Sequence, residues 1–208
     1  MILDETVLWQ SLCSRHGAEF AAKMQQARVA IAGLGGLGSN IAMMLVRMGV
    51  GQLHLIDYDR VELSNLNRQQ YVIKDVGRYK TEALQEHLLQ INPFIKLKID
   101  CLRLNADNMA AVFAADDIIC EALDAAESKA LLVNTLMTCY ADKKIIAASG
   151  MAGLGSANDI VTRKLNNRLY ICGDSKSDCA DMSLTAARAA ICAGHQSQTV
   201  CRIILGLE

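Results

Sequence analysis

The most constraining feature of this sequence is a glycine-rich turn, G-L-G-G-L-G at residues 33–38. Residues 28–32 predict a strand before it, and residues 39–48 predict a helix after it. Such a turn lets phosphates approach backbone N–H groups at a helix N-terminus, where the helix dipole favours negative charge. The chain is therefore expected to form a nucleotide-binding α/β unit. The turn alone fits a nicotinamide dehydrogenase equally well, or a turn that serves only helix–sheet packing.

Strands and helices are predicted to alternate up to about residue 148. The further strands are predicted at residues 52–56, 95–101, 117–123 and 145–148, and the further helices at residues 80–91, 105–114 and around 133–140. This spacing favours an α/β, Rossmann-like, mostly parallel sheet with helices on both faces.

The character of the sequence changes after that alternation. Residues 159–162 and 169–172 flank Asn166-Asn167 and predict an antiparallel hairpin, and Val200, Ile203, Ile204 and Leu207 mark one face of a closing helix. We expect one domain, residues 28–208, preceded by an N-terminal helical segment, residues 1–27, that packs on a partner or caps the sheet.

Composition restricts the partners. The 208 residues are 52% hydrophobic and carry 21 basic and 22 acidic side chains, so the chain has no overall basic field that would attract a nucleic acid. No apolar run reaches the roughly 18 residues of a membrane span, and residues 1–5 do not resemble a signal peptide. The sequence therefore predicts a cytoplasmic protein without membrane or nucleic-acid partners.

The eight cysteines do not form a zinc pattern. No two of them are separated by two residues, so the paired-ligand signature is missing and we expect no structural zinc. Reduced thiols of a cytosolic protein account for most of them.

A second polar cluster follows the strand predicted at residues 52–56. Asp57 is placed to accept hydrogen bonds from ribose hydroxyls, and Arg68 and Lys80 add cations that a pyrophosphate alone does not require. A triphosphate carries about three to four negative charges, and chemistry on it is largely positioning and charge stabilisation. Asp124, at the end of a later predicted strand, offers the oxygen ligand that Mg²⁺ prefers. Because these clusters follow strand ends, we expect them to converge at one edge of the sheet.

Together these motifs resemble the family of ubiquitin-activating enzymes and their bacterial relatives ThiF and MoeB. In that family a G-x-G-G-L-G turn is followed by D-x-D-x-V-x-x-S-N-L-x-R-Q. The matching positions are Gly33, Gly35, Gly36, Leu37, Gly38, Asp57, Asp59, Val61, Ser64, Asn65, Leu66, Arg68 and Gln69. Residues 76–80 look like the family's G-x-x-K, and Asp124 stands where its metal-binding aspartate follows a strand.

The resemblance implies ATP-dependent adenylation of the C-terminal glycine of a small ubiquitin-like protein, with release of pyrophosphate. A terminal carboxylate is already ionised at neutral pH, so no general base is required. Arg68, Lys80 and Mg²⁺ on Asp124 would reduce charge repulsion, Asn65 would donate to the α-phosphate, and Asp57 would hold the ribose. The other implied ATP contacts are the glycine turn, Asp59 and Gln69.

The short chain looks most like a compact, zinc-free ThiF-like branch, whose partner would be ThiS, the sulfur carrier of thiamine biosynthesis with a C-terminal Gly-Gly. A homodimer is expected, in which Arg15 of the partner subunit completes the site. Cys179 is a candidate thiol that accepts or passes sulfur, from a sulfur-donor protein, after adenylation. The alternatives are another acceptor (a MoaD-like carrier or a tRNA), an NAD-dependent oxidoreductase, and a non-catalytic adaptor.

Overall fold

The computed structural model describes residues 4–178 and 181–208. Within them a seven-stranded sheet has the order β3-β2-β1-β4-β5-β7-β6. The strands are β1 (Arg28–Ala32), β2 (Gln52–Ile56), β3 (Lys96–Asp100), β4 (Ile118–Glu121), β5 (Lys144–Ala148), β6 (Val161–Lys164) and β7 (Leu169–Gly173). All neighbouring strands are parallel except β6 and β7, which form an antiparallel hairpin. The predicted fold class is confirmed.

The helices cover both faces of this sheet. They are α1 (Glu5–His16), α2 (Ala18–Gln26), α3 (Gly38–Arg47), α4 (Lys80–Ile91), α5 (Met109–Val112), α6 (Ala126–Cys139) and α7 (Ala186–Leu205). No helix in the described part of the chain is both long enough and apolar enough to cross a membrane.

Two apolar cores form because alternate residues of each strand point to opposite faces. On one face Ile31 and Leu55 pack with α3, α4 and α7; on the other, Ala30 and Ile56 pack with α5, α6 and Phe113. The central strands are buried on both faces, which is why they are continuous apolar runs in the sequence.

The N-terminal segment forms two helices, where the sequence suggested one. Gly17, with φ of +88°, separates α1 from α2 and adopts a conformation that is costly for other residues. Leu12 of α1 lies against Gly49, directly before β2, so α1 lies near the amino end of the sheet.

Two other helices differ from their predicted extents. α5 covers only Met109–Val112, where the sequence predicts a helix from residue 105 to residue 114. The Asn105 side chain accepts hydrogen bonds from the backbone N–H groups of Asp107 and Asn108, as a capping residue does, and the turn that it closes leads into α5. α7 begins at Ala186, well before the apolar face that predicted it, with Thr185 as its N-cap. Its first half is rich in alanine and lines the interior.

The strand order reverses between β1 and β4, which are neighbours although β2 and β3 follow β1 in the chain. Loops after these two strands leave in opposite directions and open a crevice at the carboxyl ends of the strands. The topology therefore places one cleft next to the glycine turn.

Candidate active site

A cleft of about 590 Å³ lies at the carboxyl ends of the parallel strands. Its lining includes nearly all of the residues that the sequence singled out: Gly33, Gly35, Gly36, Leu37, Asp57, Asp59, Asn65, Arg68, Gln69, Lys80 and Asp124. These residues come from four separate segments of the chain, and the fold brings them together. Gly38, the last residue of the turn, begins α3.

The glycine turn is shaped by close backbone contacts. Gly33 has φ of +91°, and a Cβ there would lie 2.7 Å from the backbone oxygen of Ala122. A Cβ on Gly38 would lie 1.8 Å from the backbone oxygen of Gly33. Both positions therefore require glycine. The turn delivers the N-terminus of α3 to the cleft, where its free N–H groups and dipole suit a phosphate.

Asp57 is fixed by backbone donors at the end of β2. Its Oδ2 accepts from the N–H of Leu34 at 2.6 Å, and its Oδ1 accepts from the N–H of Asp59 at 2.8 Å. Burial raises the pKa of this carboxyl, and the Lys80 ammonium and the two N–H donors oppose the shift. A carboxylate oxygen can accept more than one hydrogen bond, so Asp57 keeps capacity for hydroxyl donors.

Lys80 begins α4 and is 7% exposed. Its Nζ lies 2.9 Å from Oδ2 of Asp59, whose side chain is 45% exposed. A buried ammonium needs such a partner. In this arrangement Asp59 holds the Lys80 cation at the wall of the cleft.

Arg68 and Gln69 carry buried polar atoms without partners among the described residues. Nη1 of Arg68 donates to the backbone oxygen of Ser64 and to Asn67, but its Nε is buried and unpaired. The Arg68 stem lies against Gly36, with Cδ 3.5 Å from the position of a Cβ there. Oε1 of Gln69 is likewise buried and unpaired. Unsatisfied buried groups are uncommon, so both atoms require a polar partner that the described residues do not supply.

Asn40 holds Arg68 beside the glycine turn, and the sequence analysis did not identify it. Its Nδ2 donates to the backbone oxygens of Gly36, at 2.7 Å, and of Arg68, at 3.2 Å. The hydroxyl of Tyr71 adds a second tie by donating to the backbone oxygen of Leu34. Asn40 is a polar residue in the first turn of α3, directly after the glycines, and this position is the sequence feature that could have identified it.

Asn65 and Asp124 both line the cleft and differ in exposure. Asn65 is 9% exposed, and its Oδ1 accepts from the N–H of Glu62 at 3.1 Å. Its Nδ2 donates to the Ser64 hydroxyl at 3.5 Å, and an amide nitrogen has a second N–H that can donate to a ligand. Asp124 is exposed, and its Oδ1 accepts from the N–H of Ala125. Within residues 4–178 and 181–208, no group of three or more His, Cys, Asp or Glu side chains is arranged to hold a metal.

Glu121 and Lys129 form an ion pair beside the cleft that the sequence motifs did not indicate. Glu121 is fully buried, and Nζ of Lys129 lies 3.0 Å from its Oε1. Burial raises the pKa of Glu121, and the Lys129 ammonium opposes that shift. Lys129 itself lines the cleft. Lys129 lies in α6, eight residues after Glu121 at the end of β4, and no sequence motif indicates that the two side chains pair.

Arg15 does not line this cleft in its own chain, and Cys179 belongs to the part of the chain that the structure does not describe. Arg15 lies on α1, on the same helix as Leu12, which packs beside Gly49 before β2.

Several other cysteines pack in the core. Burial raises the pKa of Cys192 to about 12 and that of Cys201 to about 11, and it raises the pKa of Cys120 further. Buried thiols of this kind behave as small apolar groups and are poor nucleophiles.

The sequence of residues 9–208 matches the ThiF family. The chain belongs to the ThiF family. That membership confirms the resemblance that the motifs indicated.

Two curated relatives of this ThiF-family chain are both named as adenylyltransferases, with different stated substrates. A sulfur carrier protein adenylyltransferase of Thermus thermophilus is 34% identical over 116 residues, covering 55% of this chain and 43% of that protein. A molybdopterin-synthase adenylyltransferase of Salmonella typhimurium is 27% identical over 187 residues, covering 87% and 74%. The chain spans less than half of the length of several curated relatives that it matches.

The fold of this ThiF-family chain also has close solved counterparts. The crystal structure of the E. coli tRNA N6-threonylcarbamoyladenosine dehydratase TcdA, in complex with ATP, superposes with a TM-score of 0.88. It covers 99% of this chain and 98% of that chain at 18% identity. A likeness at this identity shows a shared fold.

Proposed function

We propose that this ThiF-family chain adenylates the C-terminal glycine of a small ubiquitin-like sulfur carrier, with ATP as the second substrate and pyrophosphate as the leaving group. The observation that carries the proposal is the meeting of Asp57, Arg68, Lys80 and Asp124 around the glycine turn in one cleft. A dinucleotide site needs the turn and Asp57, but it has no need of the two added cations.

ATP fits the donor set of this cleft. The N-terminus of α3 suits the phosphates, and Asp57 suits the ribose hydroxyls. The unpaired Nε of Arg68 and Oε1 of Gln69 are polar atoms that lack a partner within the described chain. The Arg68 side chain lies against Gly36, and Nε2 of Gln69 lies 3.8 Å from the position of a Cβ on Gly35. These donors beside the glycine turn support a contact with the phosphates.

The residues also fit Mg²⁺ bound through the nucleotide. Mg²⁺ is commonly held by one or two carboxylates together with substrate phosphates, so a cluster of three protein ligands is not required. Asp124 offers an exposed carboxylate in the cleft. When bound, the ion would neutralise phosphate charge.

In the proposed reaction a carboxylate oxygen of the terminal glycine attacks the α-phosphorus of ATP. The P–O bond to the β-phosphate breaks, and the products are the acyl adenylate and pyrophosphate. No proton moves in this step, because the carboxylate is ionised beforehand. Arg68 and Lys80 reduce the repulsion between carboxylate and phosphates, and the Asn65 amide donates to the α-phosphate.

ATP–pyrophosphate exchange tests this proposal. The wild-type protein should catalyse exchange only with Mg²⁺ and a purified carrier ending in Gly-Gly, and Arg68→Ala, Lys80→Ala and Asp124→Ala should each lower the rate by about 10²-fold or more. Lys74→Ala is the matched control, because Lys74 pairs with Glu86 on the exposed surface. Full exchange in all three cleft variants would overturn the roles.

A ThiS-like carrier of thiamine biosynthesis is the acceptor that we propose first. The motif at residues 64–71 supports it. A MoaD-like carrier is the main alternative, supported by the name of the Salmonella relative. Comparing the exchange rates with each purified carrier decides between them.

A tRNA acceptor is the second candidate, favoured by the fold that the chain shares with the dehydratase TcdA. The near-zero net charge of the chain disfavours it. ATP hydrolysis stimulated by tRNA, with no exchange on any carrier, would establish this candidate instead. Binding of NAD in preference to ATP would favour an oxidoreductase, and binding of a carrier without any exchange would favour an adaptor.

We also propose a cytoplasmic homodimer in which Arg15 completes the partner's cleft. Exposed apolar side chains support an interface: Leu63 is 71% and Ile73 80% exposed. Mixing Arg15→Ala with Lys80→Ala should restore part of the exchange lost by each, because one site of the mixed dimer then has both residues. Absence of any restoration would contradict this arrangement.

Transfer of sulfur is a separate proposal. A sulfur-donor protein would supply it, and Cys179 would accept or pass it after adenylation. Cys179→Ser should then abolish thiocarboxylate formation on the carrier, measured by mass, and leave exchange unchanged. Loss of exchange in this variant would contradict that role.

A further inference from the structure

A buried ion pair joins Arg188 and Asp174 beside the cleft. Arg188, in the first turn of α7, is 4% exposed, and Asp174, directly after β7, is 9% exposed. Nη2 of Arg188 lies 2.5 Å from Oδ2 of Asp174. Neither residue has a part in the roles assigned above.

The guanidinium of Arg188 also reaches the loop that follows β5. Its Nε donates to the backbone oxygen of Met151 at 3.2 Å, and its Nη1 donates to that of Ser156 at 2.9 Å. The planar fork of an arginine can hold several acceptors at fixed angles. One side chain therefore fixes the loop after β5 to the start of α7.

Asp174 organises the loop that follows β7. Its Oδ1 accepts from the N–H groups of Lys176, at 2.8 Å, and Ser177, at 2.9 Å. The Ser177 hydroxyl donates to Oδ2 of Asp174 and accepts from the N–H of Ala152 at 2.9 Å. Burial acts to raise the pKa of Asp174, but these donors and Arg188 hold it below its usual value. The two loops are thus tied through one carboxylate.

Four residues on the segments that this pair ties together line the cleft, and we call them the acceptor wall: Met151, Ala152, Ser177 and Leu184. The acceptor wall follows β5 and β7, on the opposite side of the strand reversal from β2, Asp57 and Lys80. Gly153, next to Ala152, also donates its N–H to the backbone oxygen of Ser183 at 2.8 Å. The side of the cleft left for the second substrate is therefore built on loops that the pair holds.

We propose that Arg188 and Asp174 are positioning residues that set the acceptor wall for the incoming carboxylate, without contributing to nucleotide binding. This inference rests on the proposed function, since it assigns the second substrate to that side. Loosening the pair should weaken the use of the carrier and spare ATP. A reacting carboxylate held out of line by a small displacement loses much of the benefit of positioning.

Conservative variants test the inference, namely Arg188→Lys and Asp174→Asn. Lysine keeps the positive charge of Arg188 but has no planar guanidinium with several N–H donors. Asparagine keeps one acceptor oxygen of Asp174 but has no negative charge. We expect each to raise KM for a purified Gly-Gly-ending carrier by about tenfold, the effect of losing one charge-assisted hydrogen bond, while Kd for ATP changes by less than about twofold. Arg28→Lys is the matched control, because Nη1 of Arg28 donates to the backbone oxygen of Ala115 at 2.8 Å, outside both loops, and Arg28 does not line the cleft.

Amide hydrogen exchange provides a readout that does not depend on the carrier. In both variants, exchange should quicken in residues 150–156 and 174–178 and stay unchanged in residues 33–39. An equal rise in Kd for ATP, or unchanged carrier KM and loop exchange, would overturn the inference. If the wild type shows no carrier-dependent exchange of pyrophosphate, the proposed function fails, while the amide data still decide whether the pair holds the acceptor wall.

Discussion

The carboxylate of Asp57 accepts a 2.6 Å hydrogen bond from the backbone N–H of Leu34, which joins the end of β2 to the middle of the glycine turn. The two residues are 23 positions apart in the sequence. Because the bond holds the carboxylate against the turn, the ribose and phosphate subsites of a nucleotide have a fixed relative position.

The protonation of Asp57 gives the first prediction. Since burial raises its pKa, we expect ATP binding to weaken on acidification at a pH above the usual aspartate value of 3.8. Asp57→Asn should bind ATP about tenfold more weakly at neutral pH and lose this part of the pH dependence. Calorimetric titration of ATP across the acidic range measures both effects; an unchanged pH profile in the variant would contradict the assignment.

Asp57 should also leave a signature in stability. Its pKa is higher in the folded chain than the unfolded value, so the folded chain keeps the proton to a higher pH. The corresponding contribution to stability is present below the unfolded pKa and falls as the pH rises through the folded one. Denaturant unfolding at several pH values should show a flatter profile for Asp57→Asn.

Alanine substitutions at two glycines distinguish the cost of a positive φ from the cost of a steric clash of the added Cβ. Gly33 and Gly17 have φ of +91° and +88°, but only at Gly33 would a Cβ meet another group, the Ala122 oxygen at 2.7 Å. Strain of about 1–2 kcal/mol applies to both alanine variants. We expect Gly33→Ala to lose about 1–3 kcal/mol more, from overpacking. Urea unfolding compares the two variants, and equal losses would show that the turn relaxes freely.

Lys80 and Asp59 are predicted to differ in their effect on nucleotide. Lys80→Met removes the cation from the cleft wall, and we expect ATP to bind about tenfold more weakly or worse. Asp59→Asn leaves the ammonium in place and frees it from its partner, so the loss should be smaller. Titration of ATP with both variants gives the order, and a larger loss for Asp59→Asn would assign the direct contact to Asp59 instead.

The buried Glu121 allows a prediction about stability. Its oxygens accept from Lys129 and from the N–H groups of Leu123 and Ala148. Glu121→Ala leaves these donors without an acceptor, and we expect the free energy of unfolding to fall by about 3–5 kcal/mol. Glu121→Gln keeps an acceptor oxygen and should lose less, about 1–3 kcal/mol. Guanidinium unfolding measures the difference, and equal losses would mean that the charge, and not the acceptor, is what Lys129 requires.

Much of the fold followed from local pattern. β1, β2 and α4 have the bounds that the sequence predicted. Strands buried on both faces appear as short continuous apolar runs, and an amphipathic helix leaves a period of 3.6 residues. The predicted extent of α5 was wrong, because a helix of about one turn, Met109–Val112, is too short for apolar periodicity to fix its ends.

The residue types of the candidate site could also be predicted from the sequence. A glycine turn between strand and helix, an aspartate after the next strand and a fixed spacing of Asn65, Arg68 and Gln69 depend on short stretches of chain. Motifs of this kind are local, so the sequence alone was enough to predict the site residues and the family resemblance.

Tertiary structure decided what these residues face. That Lys80 pairs with Asp59, that Asn40 holds Arg68 beside Gly36, and that Arg188 closes two loops through Asp174 depend on contacts between distant segments. Each needs a particular strand order and loop path, and a single sequence does not encode these as a local period. The sequence thus determined the fold class and the chemistry available, while the packing of distant loops determined which charges are paired and which polar atoms remain open to a ligand.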